Sequence, residues 1–168
     1  MTPERVRALR QELLDTRESL KTHYLVSPRP ARLLASWRQT VDRVLVVLWN
    51  ETGFSSGEAL VATGGYGRGE LYPYSDIDLL LLLPEGAGAT TTQCVENLVS
   101  LLWDIGLEVG HSTRTFKECL KEARQDLTIA TTLSDLRFLA GNRQALHNLQ
   151  DALDTVLRTP EFVMGKIE

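Results

Sequence analysis

The run Ile77-Asp78-Leu79-Leu80-Leu81-Leu82-Leu83 is the tightest constraint on how this chain can fold. In an extended segment successive side chains point to opposite faces, so a run that stays apolar at every position after Asp78 has to be covered on both. It is therefore expected to be a strand central in its sheet, ended by Pro84. A second short apolar run, EALVAT from Glu58 to Thr63, reads as another buried strand. Between the two lies GGYGRGELYPYSD, from Gly64 to Asp76, which supplies four glycines, an arginine and the first of two aspartates spaced two residues apart.

The remainder of the chain supplies the layers that such strands need. Thr2-Pro3-Glu4 is a helix start, with a capping hydroxyl, a proline in the first turn and an acid. Val6, Leu9, Leu13 and Leu20 then recur at helical spacing to about Lys21, and SPRPA breaks the pattern. Leu34, Trp37, Val41, Val44, Leu45 and Leu48 mark a second helix ending near Gly53. Residues 1–52 are thus expected to form an N-terminal helical brace, and residues 53–168 a second domain. In that domain Val95, Leu98, Leu102 and Ile105 form a helical stripe stopped by Gly106. GLEVGHSTR alternates as a third strand, followed by a helix, a short strand around LRFLA and a helix from Asn142 to about Leu157. This alternation indicates an α/β or α+β layer. The closing EFVMGKIE has the pattern of a chain entering another helix, as expected of a fragment of a longer multidomain enzyme.

Composition removes several function classes. With 43% hydrophobic residues the chain can bury a core, and its 24% charged residues are ordinary for a folded domain. A net charge of −4 argues against nonspecific nucleic-acid binding. No apolar run is long enough to span a bilayer, and MTPERVRALRQEL has no signal-peptide core. The two cysteines, Cys94 and Cys119, fall inside helical segments and make neither a disulfide framework nor a zinc site, so a reducing cytoplasm is expected.

Glycines just after a strand let backbone approach a phosphate. The segment is not a Walker A loop, because Glu70 stands where the lysine belongs, and Gly65-Tyr66-Gly67-Arg68-Gly69 does not match G-x-G-x-x-G. What remains is a nest-forming turn with one cation, Arg68, whose backbone amides can bind a triphosphate. A plain glycine-rich connector with a solvated arginine fits the turn taken alone.

Asp76 and Asp78 share a face of an extended chain, about 6.5–7 Å apart. Carboxylates so placed can hold divalent ions, with Mg²⁺ the natural choice beside phosphates. The alternative is a turn-capping Asp76 after Ser75 and an ordinary strand-end acid at Asp78. Against it, an unpaired charge at the head of a buried strand is costly, so a counter-ion is expected.

The combination of a strand, G-G-x-G-R, and then S-D-x-D at the head of a hydrophobic strand resembles the polymerase-β-like nucleotidyltransferases. The version here, GGYGRGELYPYSDIDLLLLL, is similar to the family of bifunctional uridylyltransferase/uridylyl-removing enzymes, as are LLWDIGLEVGHSTRTFKECL and DLTIATTLSDLRFLAGN. This likeness spans roughly residues 60–142. It implies a polymerase-β-like fold with a small mixed sheet flanked by helices. It also implies transfer of UMP from UTP to a tyrosine hydroxyl of the PII nitrogen-signalling protein, releasing pyrophosphate. Asp76 and Asp78 would hold Mg²⁺ (or Mn²⁺), Gly64 and Gly65 would cradle the phosphates, and Ser75 and Arg68 would add contacts. The superfamily also uses a third carboxylate from a neighbouring strand, for which Glu108 is the candidate, as metal ligand or as base; a surface strand acid is the equal alternative. Asp126 reads instead as a helix N-cap. Transfer to another acceptor, such as glutamine synthetase or an aminoglycoside, and a non-catalytic nucleotide-binding fragment both remain open.

The family usually carries histidine where this chain has Tyr72, and its hydrolase His-Asp pair does not occur here, so UMP removal and glutamine sensing are expected to be absent from this chain. His111, on the strand face of Val109 and Leu107, is expected to be packed, and His23 and His147 to lie on the surface. Trp37, Trp49 and Trp103 are expected in the core, and both cysteines to be inert thiols.

Overall fold

A computed structural model describes residues 1–158, so the EFVMGKIE segment lies outside the described residues. Two long helices open the chain, α1 (Pro3–Val26) and α2 (Pro30–Thr52). Thr2 caps α1 by accepting from Arg5 N–H, and Gly53, in the left-handed region at φ 78°, ends α2. α1 runs on to Val26, beyond Lys21, and its last turn left no apolar stripe in the sequence because Leu25 and Val26 are exposed.

After the helices come β1 (Ala59–Ala62), a single helical turn α3 (Gly64–Gly67), β2 (Ile77–Leu83), α4 (Ala89–Ile105) and β3 (Val109–Thr115). The rest is α5 (Phe116–Gln125), α6 (Leu127–Ser134), β4 (Arg137–Gly141) and α7 (Arg143–Leu157). The four strands form one mixed sheet in the order β3-β2-β1-β4, with β2 parallel to β3 and β1 antiparallel to both its neighbours. The leucine-rich strand is central, as its two apolar faces require. Leu79 and Leu81 enter a core shared with α1, α2 and α4, which includes Leu9, Trp37, Leu45 and Leu98. Leu80 and Leu82 face the opposite side, where Cys119, Leu133 and Leu149 from α5, α6 and α7 close a second core. Each leucine pair fills one face, so the run needs both helical layers.

Three local expectations change. The glycine segment is one turn of helix rather than an open nest: Gly67 N–H donates to Thr63 O at 2.8 Å and Arg68 N–H to Gly64 O at 3.1 Å. The stretch after β3, expected as a single helix, is divided in two at Asp126, which is the N-cap expected of it: its carboxylate accepts from Thr128 and Ile129 N–H and caps α6. Trp37 and Trp49 are buried, but Trp103 is 79% exposed. It follows Leu102 directly, and one residue rotates a helical side chain by about 100°, off the buried stripe of Leu98, Leu102 and Ile105.

Candidate active site

The candidate residues meet at one end of the strands because the strands run in mixed directions. β1 delivers its C-terminal end there, while β2, β3 and β4 begin there. Thr63 N–H donates to the Asp78 carbonyl at 3.0 Å, fixing the entry to α3 against the start of β2. Tyr72 to Ser75 form a turn in which the Ser75 hydroxyl accepts from Tyr72 N–H and donates to Tyr72 O. That hydroxyl is spent within its own turn, where it sets the direction in which Asp76 leaves.

The Asp78 carboxylate lies between two glycines. A Cβ on Gly64, which sits at φ +56°, would be 3.5 Å from Oδ2, and a Cβ on Gly110 would be 2.9 Å from Oδ1. Gly110 is the β3 residue in register with Asp78. Sequence reasoning overlooked it, although a glycine inside a strand is a signal of close approach by another group. Burial, then the charge of Asp76, pushes the Asp78 carboxyl above the ordinary aspartate value. The two acids therefore repel across a shared space, which is the electrostatic condition a divalent cation relieves.

Glu108 precedes β3 instead of lying within it. Its carbonyl accepts from Ile77 N–H at 3.1 Å. Extending the parallel register, Ile77 with Val109 and Asp78 with Gly110, places Glu108 alongside Asp76. Both acids line a pocket of about 570 Å³ together with Trp103, Val109, Gly110 and His111. His111, expected to be packed, is exposed, because β3 is an edge strand. Among the described residues no group of three or more His, Cys, Asp or Glu side chains is placed to hold a metal ion. Asp76 and Asp78 offer two carboxylates, a number with which Mg²⁺ can be held when water and substrate phosphates complete its octahedron. On that chemistry the residues fit a magnesium ion.

Arg68 donates to Asp135 at 2.7 Å and to Glu70 at 3.1 Å, and these hydrogen bonds, Asp135 first, raise its pKa. Its Nη2 lies 3.8 Å from where a Cβ of Gly65 would stand, so its charge lies over the glycine turn. Below the turn is a network that no sequence spacing revealed, since its members lie far apart in the chain. Tyr66 OH donates to Asp42 at 2.5 Å, and Arg137 pairs with both Asp42 oxygens at 2.8 and 3.0 Å and with Tyr66 O at 3.2 Å. Burial and then Asp42 push the Tyr66 hydroxyl far above its ordinary value, so it remains a donor. Tyr66→Phe should cost about 2 kcal/mol of unfolding free energy, the value of a hydrogen bond to a charged group. Urea unfolding checks this, and an unchanged midpoint would show that Asp42 is satisfied by Arg137 without the tyrosine.

The nucleotidyltransferase domain family matches residues 48–138, a span that runs from the end of α2 through all three strand starts at this end. The chain belongs to this family. A nucleotidyltransferase of this kind has curated relatives named "Bifunctional uridylyltransferase/uridylyl-removing enzyme". The Bordetella parapertussis protein is 43% identical over 158 residues, which is 94% of this chain and 18% of that protein. The Nitrosospira multiformis protein is 42% identical over 165 residues, 95% of this chain and 19% of the relative. For the Pseudomonas entomophila protein the identity is 46% over 139 residues, 80% of this chain and 15% of the relative. The nucleotidyltransferase chain thus spans less than a fifth of the length of these relatives. Among its described residues no helix is long and apolar enough to cross a membrane.

Proposed function

We propose that this domain transfers UMP from UTP to a tyrosine hydroxyl of a PII signalling protein in the cytoplasm, releasing pyrophosphate. The observation that carries this reading is the position of the Asp78 carboxylate between Gly64 and Gly110, with Asp76 close enough to perturb it. Asp76 and Asp78 would hold Mg²⁺, which would supply orientation of the triphosphate and offset charge at the reacting phosphoryl group. Gly64 and Gly65, in the first turn of α3, offer backbone N–H groups that a helix start leaves without intrahelical acceptors. Arg68 adds positive charge over the same turn, and Ser75 holds the loop that presents Asp76.

The phenolic oxygen forms a bond to the α-phosphorus as the bond to the bridging pyrophosphate oxygen breaks. Glu108 accepts the phenolic proton, directly or through water. The helices of residues 1–52 brace the sheet from one face. The choice of uracil and of PII follows the likeness to the uridylyltransferases named above.

The test is incubation of the chain with PII, Mg²⁺ and UTP or ATP, each labelled in the α-phosphate, followed by mass spectrometry of PII. Label on a PII tyrosine from UTP and not from ATP is the expected result. Equal or better transfer from ATP would replace this reading with adenylyl transfer. Label from neither nucleotide would overturn the transferase reading of this chain.

A further inference from the structure

We propose that Asp42, Tyr66 and Arg137 are positioning residues for the glycine turn, so that α2 sets where the turn and Arg68 stand against the Asp78 carboxylate. The inference rests on the proposed phosphate role of that turn, and the three residues act through it. A single turn of helix does not hold its own shape, so α3 depends on what grips it from outside. Its entry is fixed by the bond from Thr63 N–H to Asp78 O. At its other end Arg137, the first residue of β4, donates to Tyr66 O at 3.2 Å and to the two Asp42 oxygens at 2.8 and 3.0 Å. The Tyr66 hydroxyl donates to the same carboxylate, and the Arg137 guanidinium lies 4.8 Å from the centre of the Tyr66 ring. Backbone and side chain of Tyr66 are thus tied to one ion pair. One contact alone would leave the turn free to pivot. Arg68, two residues further on, is held by Asp135, two residues before Arg137, so the approach to β4 grips the turn twice.

Charge is not needed here for stability. The Asp42 and Arg137 side chains are only 23% and 24% exposed, and Tyr66 is buried. A well-packed apolar cluster of similar volume holds such elements together at least as well as a buried ion pair does. What the ion pair adds is direction: a guanidinium bonded to both carboxylate oxygens has a fixed plane, and its remaining N–H then aims at one carbonyl. Asp42 also lies outside residues 48–138, the span matched by the nucleotidyltransferase domain family. The turn therefore takes its orientation from a helix that precedes that span, and residues 1–52 do more than cover the sheet.

The test separates direction from stability. Asp42→Leu, Tyr66→Phe and Arg137→Met, made together, remove the charges and keep the bulk. The carbonyl of residue 66 is not orphaned, because it still accepts from Gly69 N–H. This set should melt near or above wild type. Its affinity for Mg²⁺-pyrophosphate and for Mg²⁺-UTP, read by calorimetric titration, should fall about tenfold, the lower end of what a group supporting a ligand contact is worth. Arg137→Lys keeps the charge without the fork and decides the matter if the triple variant does not fold. It should weaken both ligands too, and in labelling raise the half-saturating UTP concentration while that of PII stays put. Wild-type affinity for pyrophosphate in a folded triple variant, or in Arg137→Lys, would overturn the proposal and leave the cluster a purely structural part. So would a wild-type chain that binds no pyrophosphate, since the turn would then have no phosphate to meet. Pyrophosphate carries no base, so transfer of AMP in place of UMP would overturn the uridylyl reading and leave this one standing.

Discussion

Asp78→Asn should abolish transfer while leaving the fold intact and somewhat more stable. Losing one of two carboxylates for Mg²⁺ removes several kcal/mol of charge stabilisation, and roughly 4 kcal/mol corresponds to about 10³-fold in rate. The stability effect has the opposite sign. In the metal-free protein, burial and the neighbouring Asp76 raise the Asp78 carboxyl above its unfolded value. A carboxyl with a raised folded pKa costs nothing below its unfolded pKa, and the cost grows as pH rises through the folded pKa. Near neutral pH, with chelator present, the variant should therefore melt above wild type. On acidification through that window the gap should close. Added Mg²⁺ should raise the wild-type midpoint and leave that of the variant unmoved. Calorimetric melting with chelator and with Mg²⁺ checks both signs. A variant that melts lower than wild type at neutral pH would mean that Asp78 serves the fold rather than a cation.

Legibility in the sequence followed the range over which the responsible physics acts. The leucine run was readable as a central strand because burial on both faces is written at successive positions, and both cores are populated alternately by Leu79 to Leu82. Caps were readable too, since Thr2 and Asp126 each bond to backbone within three residues. The Asp76 and Asp78 pair was visible from its spacing. What supports it was not. Gly110 matters only through the parallel register of β3 on β2, and Arg137 reaches Asp42 across 95 positions. Trp103 was misjudged because a helical stripe has edges, and one residue beyond Leu102 is enough to turn a ring outward. His111 was misjudged because alternation reports which face a residue takes, while its burial depends on whether another strand lies alongside.

Gly67→Ala is expected to be the most damaging single-methyl change at the site. Gly67 sits in helical backbone with no positive φ, so its need for glycine is one of space. A Cβ there would overlap the backbone carbonyl oxygen of Asp135 and stand 3.1 Å from the Ala62 carbonyl oxygen. Neither is a side chain that can swing away. Asp135 also precedes β4 and takes the Arg68 guanidinium, so relief requires moving α3 as a unit away from the α6–β4 junction. Overpacking against backbone should cost about 3 kcal/mol, the upper part of the usual range. For a chain of this size that is a fall in melting temperature of about 10 °C. The contrast with Gly64→Ala separates stability from function. At Gly64 a Cβ meets only Asp78 Oδ2, at 3.5 Å, but the backbone lies at φ +56°, where a methyl costs about 1 kcal/mol. Gly64→Ala should therefore fold close to normally yet lose nucleotide affinity, because any relaxation of that φ turns the first amides of α3. Thermal melts and UTP titrations on both variants decide the matter. If Gly67→Ala melts with wild type, α3 is free to shift, and the close seat of the glycine turn on Asp135 is not what holds the phosphate-binding amides in place.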